Sequence, residues 1–217
     1  MKTANIEVTY INHCGDDLSV VNAARVSFHK ESSSFQEQDG KLIRYLAKHK
    51  HFSPFNHAFL TFRVKAPIFV ARQLVKHRFM PWNEVSRRYV DEEPEFYFPD
   101  YWRARADNVK QGSSEDKVDV LDLHIEDSIE FQLLYQYNNL LAKNVAPEQA
   151  RMVLPQNMMT EWIWSGTLGA YCDMLRLRLD PHTQYESRLV AELIYEQVKQ
   201  LFPVSVGALL EREVSST

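Results

Sequence analysis

Five basic side chains are concentrated in one stretch, residues 67–89 (PIFVARQLVKHRFMPWNEVSRRY). This stretch contains a single acid, Glu84, and these basic residues: Arg72, Lys76, Arg78, Arg87 and Arg88. Because the whole chain has a formal net charge of −4, so local an excess of positive charge indicates a pocket for a small multivalent anion. A solvated charged helix face is the alternative. The Gln, Asn, Ser and Tyr residues among the cations favour the pocket, since they supply the varied donors that a shaped ligand needs.

A helix followed by a polar loop is predicted to position these side chains. The helix should begin at Pro67, where a missing N–H costs nothing, and end at Pro81. Apolar residues at helical spacing are expected to face the core: Ile68, Ala71, Leu74 and Val75. The polar residues then gather on the opposite side: Arg72, Gln73, Lys76 and His77. This arrangement places half of the candidate pocket on a helix and half on the loop after it.

The spacing of the basic and polar residues resembles a known signature. His77-Arg78, seven residues, Ser86 and then Arg87-Arg88-Tyr89 closely resemble the signature of the flavin-dependent thymidylate synthases. That family usually has Arg where this chain has Lys76, and a lysine is a point charge that cannot make the planar two-pronged contact of an arginine. Either the contact at residue 76 is monodentate, or a neighbouring residue compensates.

Further segments extend the resemblance from about residue 23 to residue 184. The turn 51–57 (HFSPFNH) is similar to a family turn, with Asn56 in place of a glutamate, and residues 65–73 (KAPIFVARQ) match the run before the signature. Segments 150–155 (ARMVLP) and 177–184 (LRLDPHTQ) look like family segments that supply substrate arginines. Several ordered matches are much more specific than one short pattern.

The resemblance implies a homotetramer that binds FAD and dUMP between its subunits. The implied reaction transfers a one-carbon unit from methylenetetrahydrofolate to C5 of uracil, with NADPH as the source of electrons. The sequence agrees in two respects. No G-x-G-x-x-G follows a predicted strand, so a dinucleotide must be held outside a Rossmann turn. Neither Cys14 nor Cys172 has the setting of an activated nucleophile, which flavin chemistry does not require.

The resemblance also implies roles for individual residues. The implied dUMP contacts are Gln73, Lys76, Glu84, Val85, Ser86, Arg87, Arg88, Arg151 and Arg178. The implied FAD contacts are His51, Ser53, Lys76, His77, Arg78 and Glu84. Arg178 is the implied catalytic residue, because it would stabilise the negative charge that grows on the uracil edge as C5 becomes nucleophilic. Ser86 is expected to hydrogen-bond to substrate rather than to act as a nucleophile, since no adjacent base is evident.

Segment 164–170 (WSGTLGA) departs from the family pattern, which often has Asn and Arg there for the adenine end of FAD. Its glycines could bring backbone close to the cofactor. Alternatively, the segment is an ordinary helix entry with Thr167 as the N-cap. The sequence leaves both interpretations open.

The remaining pattern predicts a single α+β domain over residues 1–217, in which several helices pack on a small antiparallel sheet. The predicted strands are 6–11, 59–64 and 158–164, and the last should return to pair with the second. The predicted helices are 18–26 with Asp16 or Asp17 as N-cap, one around 42–49, a long one over 116–143, and then 147–155, 167–179 and 182–202. Residues 111–115 are predicted to be an exposed mobile loop.

Composition excludes several classes of function. Mild acidity argues against a general binder of nucleic acid or anionic membranes, and no apolar run is long enough to cross a membrane. With two cysteines interpreted as reduced thiols, a cytoplasmic protein is expected. No metal site is predicted, because the eight histidines match no ligand spacing. A non-catalytic nucleotide or flavin sensor remains an alternative, and a metal-dependent nucleotide hydrolase is supported by the histidines alone.

Overall fold

The fold is described by a computed structural model that covers residues 1–90, 92–107, 112–120 and 125–210. The strands are β1 (Lys2–Thr3), β2 (Glu7–Cys14), β3 (Phe59–Pro67), β4 (Trp82–Glu84), β5 (Glu95–Phe96), β6 (Trp102–Arg105), β7 (Ser113–Val118) and β8 (Met159–Thr167). The helices are α1 (Asp17–Arg25), α2 (Glu37–Lys48), α3 (Ile68–Leu74), α4 (Ile125–Ala142), α5 (Pro147–Ala150), α6 (Leu168–Arg178), α7 (Tyr185–Leu201) and α8 (Pro203–Leu210). The predicted α+β class is confirmed.

The main sheet has four strands in the order β2-β3-β8-β4, and its pairs are antiparallel. The predicted return of the 158–164 segment onto the 59–64 segment is confirmed, with Phe62 opposite Trp164. Alternate residues of β3 and β8 are buried, as the alternation of apolar residues predicts for a sheet with one face on the core. Burying each such large apolar side chain stabilises the fold by about 1.5–3 kcal/mol.

Helix α3 is shorter than the sequence suggests. It ends at Leu74, and Phe79 has a left-handed backbone with φ of 61°, which an α-helix cannot accommodate. The prediction that the helix continues to Pro81 is therefore wrong, and Val75 is 49% exposed rather than in the core. The chain instead turns and adds β4 to the free edge of β8, with Asn83 opposite Ile163.

Residues 113–118 form a strand, so two predictions fail here. They pair with β6 as an antiparallel hairpin, with Trp102 opposite Val118 and Arg103 opposite Lys117. The prediction of a mobile loop over 111–115 is wrong for 113–115, which belong to β7. Residue 112 precedes the strand, and residue 111 lies outside the described residues. The long helix is described over Ile125–Ala142. The prediction that it starts at 116 is wrong, because residues 116–118 belong to β7 and pair their backbone groups across the hairpin.

Two neighbouring aspartates cap two different helices. Asp16 is the N-cap of α1 and accepts a hydrogen bond from the backbone N of Ser19 at 2.8 Å, which confirms one of the predicted caps. The carboxylate of Asp17 accepts from the backbone N of Val204 and of Ser205, at 2.8 and 2.9 Å. It thereby satisfies N–H groups at the start of α8 that have no partner within that helix.

Helix α2 begins at Glu37, earlier than the apolar pattern indicates.

Within the described residues, no helix combines the length and the apolar character needed to cross a membrane.

Candidate active site

Helices α3 and α6 bring together residues that lie about a hundred positions apart. The Arg178 guanidinium donates through Nε to Nε2 of His77 at 3.0 Å and through Nη2 to the backbone oxygen of Gln73 at 3.1 Å. Arg178 is partly buried, and burial lowers its pKa, although an arginine stays charged in a protein. The structure therefore brings three of the predicted site residues together.

His77 is neutral in this arrangement. Burial, and next the adjacent Arg178 charge, lower the pKa of His77 to about 4. Its Nε2 accepts the Arg178 hydrogen bond, so the ring proton is on Nδ1. Protonation of His77 would remove this acceptor and place two positive charges side by side. When the pH is below the pKa of His77, Arg178 therefore loses one of its two hydrogen bonds to the protein.

The pKa of His77 predicts a pH-dependent stability. Between about pH 6.5 and pH 4 the unfolded chain binds the His77 proton and the folded chain does not, so this contribution is complete above 6.5 and is lost as the pH falls. His77→Gln keeps an acceptor but cannot titrate, and its melting temperature should fall less over this window. We expect a difference of roughly 2–4 °C, equivalent to about 1 kcal/mol, since partial exposure of the ring reduces the full effect. Equal declines in both proteins would contradict this prediction.

A cavity of about 570 Å³ lies against Arg178, and we call it the Arg178 cavity. Its lining residues are Gln73, Lys76, Arg103, Gly112, Ser113, Arg178, Thr183, Gln184 and Glu186. Three of these are cations, and the one acid, Glu186, is already paired with Arg103. The cavity therefore has a net positive charge that suits an anion or a group that develops negative charge.

A second cavity, of about 620 Å³, lies beside the loop after β4, and we call it the Glu84 cavity. The predicted site residues that line it are Glu84, Val85, Arg87 and Arg151. Six glutamates and four cations line the cavity in total, and Lys2 and Lys65 are each within 4 Å of one of these glutamates. The positive charge that remains available for a ligand comes from Arg87 and Arg151.

Contacts with β8 hold the loop that carries Glu84 to Arg88. Thr160 donates its hydroxyl to the Glu84 carboxylate at 2.7 Å, and the backbone N of Val85 donates to the Glu161 carbonyl at 2.9 Å. Further along, Arg88 Nε donates to the Ser86 hydroxyl at 3.0 Å. The Ser86 hydroxyl thus lies beside the Arg88 guanidinium.

The basic residues of the signature stretch are available for a ligand. None of the five forms a salt bridge with a carboxylate in the ranges that the structure describes: Arg72, Lys76, Arg78, Arg87 and Arg88. Lys76 is exposed, and Arg78 precedes the exposed Phe79. Cations left without carboxylate partners in an acidic protein are expected to bind anions from solution.

In the part of the chain that the structure describes, the predicted site residues lie in more than one place. The Arg178 cavity and the Glu84 cavity have no lining residue in common. Seven of the nine residues expected to bind dUMP line one cavity or the other, and Ser86 and Arg88 line neither. His51 and Ser53 lie at a third place, the turn before β3, where the His51 ring lies 6.4 Å from that of His49 and 6.2 Å from that of Tyr45. No sequence pattern indicates this division, because it depends on how the elements pack.

The segment that departs from the family pattern has an ordinary structural role. Thr167 caps α6 by accepting from the backbone N of Ala170 at 3.2 Å, and its hydroxyl donates to Oδ1 of Asn56 at 2.8 Å. A Cβ added at Gly169 would lie 2.5 Å from the same Asn56 oxygen. A side chain at residue 169 would have to displace the Asn56 carboxamide that accepts from Thr167. The N-cap interpretation of this segment is confirmed.

Sequence patterns carry no signal for three residues that line the Arg178 cavity: Arg103, Ser113 and Glu186. Arg103 and Ser113 lie on the hairpin that was not predicted, and Glu186 lies in the first turn of α7.

The described ranges contain no group of three or more His, Cys, Asp or Glu side chains arranged to bind a metal ion.

Known proteins share both the sequence and the fold. The family model described as thymidylate synthase complementing protein matches residues 9–204. A flavin-dependent thymidylate synthase of Thermus thermophilus is 42% identical over 204 residues, which span 94% of this chain and 75% of that protein. One from Kosmotoga olearia is 42% identical over 202 residues, spanning 90% of this chain and 86% of that protein.

A solved structure shows the same fold. The crystal structure of the UMP/dUMP methylase PolB from Streptomyces cacaoi, bound with 5-Br dUMP, superposes with a TM-score of 0.85 and 31% sequence identity over 96% of each chain. The resemblance of the signature stretch, the family match over most of the chain and this superposition agree. The chain belongs to the flavin-dependent thymidylate synthase family.

Proposed function

We propose that this enzyme methylates dUMP to dTMP, with FAD as cofactor, methylenetetrahydrofolate as carbon donor and NADPH as reductant. The observation that carries the proposal is the Arg178 guanidinium, held by His77 and Gln73 at the wall of a positively charged cavity. Membership of the family and the superposition on a dUMP methylase support the same substrate. The carbon donor and the reductant follow from the resemblance.

The chemistry of the available side chains fits FAD. The residues that would hold it are His51, Ser53, Lys76, His77, Arg78 and Glu84. Lys76 and Arg78 are cations without carboxylate partners among the described residues, as binding of a diphosphate requires. When bound, FAD supplies the redox and one-carbon transfer chemistry, which no protein side chain provides. Burial raises the pKa of Cys172 to about 12, so this thiol is not a nucleophile at neutral pH.

In this proposal Arg178 acts on the uracil ring. Its two protein contacts orient the guanidinium before substrate arrives, so that the remaining N–H groups can stabilise the negative charge that develops as C5 becomes nucleophilic. The neutral His77 ring helps by accepting from Nε without adding a competing charge. Gln73 and Lys76, which line the same cavity, would contact the nucleotide beside it.

The phosphate of dUMP is assigned to the other group of residues. Ser86, Arg87, Arg88 and Arg151 would bind it, with Glu84 and the backbone of Val85 shaping the site. Arg87 and Arg151 support this assignment because they line one cavity and have no carboxylate partner in the described ranges. Each arginine can offer a bidentate contact to phosphate oxygens.

The active enzyme is proposed to be a homotetramer in which one nucleotide contacts two subunits. The support is that seven of the nine proposed dUMP residues are divided between two cavities of one chain. We expect Arg151→Ala and Arg178→Ala each to be inactive alone, and mixed oligomers of the two to regain part of the activity, because some sites would then be intact. Dimers or monomers in light scattering would contradict the homotetramer, and no recovery of activity on mixing would contradict shared sites.

A reducing compartment suits this chain, and we place the reaction in the cytoplasm. Cys14 and Cys172 are both free thiols in the structure, as expected where disulfides do not persist.

The function is tested with purified protein. We expect a yellow preparation, NADPH oxidation that responds to dUMP, and formation of dTMP when methylenetetrahydrofolate is added. Flavin and dUMP binding without any turnover would indicate the non-catalytic sensor instead, for which Lys76 in place of the usual arginine is the motivation. Activity lost to chelators would indicate a metal-dependent hydrolase. Colourless protein that binds neither FAD nor dUMP would refute the proposal.

A further inference from the structure

The Glu186 carboxylate lies at the buried end of a hydrogen-bonded chain that reaches Gln73. Glu186 is 5% exposed and accepts from the Arg103 guanidinium and, at 3.2 Å, from Nε2 of Gln184. Gln184 in turn accepts through Oε1 from Nε2 of Gln73. The Ser187 hydroxyl donates to Oε1 of Gln73 at 3.1 Å. The carboxamide of Gln73 is thus held at both of its polar atoms.

The charge of Glu186 determines which group donates and which accepts in each of these hydrogen bonds. An ionised carboxylate only accepts hydrogen bonds, so the NH₂ group of Gln184 must face it. The carbonyl end of Gln184 is then directed to Gln73, whose own NH₂ group must face Gln184. Because an amide can otherwise turn its two ends round at little cost, the orientation of Gln73 depends on the acceptor-only character of Glu186.

Arg103 fixes the carboxylate from the side of the β6–β7 hairpin. Its guanidinium donates through Nε to the Ser113 hydroxyl at 2.9 Å, and lies over the Tyr185 ring at 4.3 Å from the centroid. The side chains of Arg103 and Glu186 are only 13% and 7% exposed. A buried pair of this kind is held in one geometry, since either charge without the other would be strongly unfavourable.

We propose that Glu186, held by Arg103, is a positioning residue for dUMP. It fixes which end of the Gln73 carboxamide is available in the Arg178 cavity, next to the Gln73 carbonyl that holds Arg178. Neither residue touches the reacting atoms; both act through Gln73 and Gln184. The inference rests on the proposed function, because it assigns Gln73 to the nucleotide.

Glu186→Gln is the direct test, because it keeps the shape and allows residue 186 to donate. In the flavin-loaded full-length protein, we expect the dissociation constant for dUMP by calorimetry and the KM for dUMP to rise roughly tenfold, equivalent to about 1.4 kcal/mol. The bound flavin should be unchanged, and kcat at saturating dUMP should change less than KM. Glu192→Gln is the matched control on the same helix, since the Glu192 side chain is 50% exposed and lies 3.5 Å from the Arg188 guanidinium, and it should bind dUMP normally.

A second variant separates positioning from stability. Arg103→Met combined with Glu186→Leu removes both buried charges and should restore much of the melting temperature that Glu186→Gln loses. Binding of dUMP should remain weak in this double variant, because nothing then orients Gln184 and Gln73. Recovery of dUMP binding together with stability would overturn the proposal.

The unmutated protein distinguishes the two levels of inference. If it binds dUMP and Glu186→Gln binds dUMP equally well, the positioning role is overturned and the proposed function stands. If the flavin-loaded unmutated protein does not bind dUMP, the proposed function fails, and the positioning role fails with it.

Discussion

Arg178→Ala is expected to abolish methyl transfer while leaving FAD bound. The guanidinium is the cation held in place by His77 and the Gln73 carbonyl, and neither of these two partners can stabilise negative charge on the uracil edge in its place. Loss of one preorganised donor to a developing charge typically lowers kcat by roughly 10²–10³-fold. The measurement is dTMP formation per bound flavin, with the flavin quantified from its absorbance.

Arg176→Ala provides the control for this substitution. Arg176 lies on the same helix two residues earlier, and its contacts are with Asp173 at 2.7 Å and the Leu209 carbonyl at 2.8 Å. It should retain activity with only a modest loss of stability. Turnover retained by Arg178→Ala would refute the role assigned to Arg178, whereas loss of flavin would show that this residue is needed for cofactor binding instead.

Trp164→Ala is expected to cause the largest loss of stability. Trp164 is fully buried at the centre of the sheet, and its ring packs near those of Trp82, Trp162 and Tyr171 at centroid distances of 5.7, 6.4 and 5.9 Å. Removing a buried aromatic side chain costs about 3–5 kcal/mol, which for a chain of this size lowers the melting temperature by roughly 6–20 °C. Thermal unfolding monitored by circular dichroism measures this effect.

Two control substitutions test whether the loss of stability comes from removing a buried aromatic ring. Trp164→Phe keeps an aromatic ring in the same space and should be less harmful than alanine. Tyr135→Ala removes an aromatic side chain that is 59% exposed, and should change the free energy of unfolding by no more than about 0.5 kcal/mol. If Trp164→Ala and Tyr135→Ala destabilised the protein equally, the sheet would not be the main source of stability.

The pairing of β3 with β8 could be predicted because both strands carry their own signal. Each alternates between buried and less buried positions, as one-sided burial requires. Strand β7, with the sequence SSEDKV, has no such alternation and is mostly exposed. Its structure depends on pairing with β6, and Gly112 just before it has a left-handed backbone with φ of 88°. Tertiary context decides such a segment, and a local pattern cannot reveal it.

Part of the candidate site could likewise be predicted from the sequence, and part could not. The signature identified the residues that meet at Arg178, since Gln73 and His77 are close in sequence and Arg178 occupies a family segment. The partners Arg103 and Glu186 were missed, because their contact joins a hairpin to a distant helix. The spacing of the residues in the sequence also does not predict that they are divided between two cavities. Residue identity is encoded locally, whereas the support of a site depends on the whole fold.

The position of β3 between β2 and β8 has a consequence during synthesis. One edge of β3 can pair with β2 at once, but the other must wait until β8 has emerged, about 100 residues after Pro67. At ordinary translation rates the delay is roughly 5–20 s. Throughout that interval one edge of β3 keeps its backbone N–H and C=O groups unpaired, so nascent chains are expected to need a chaperone more than the finished protein does.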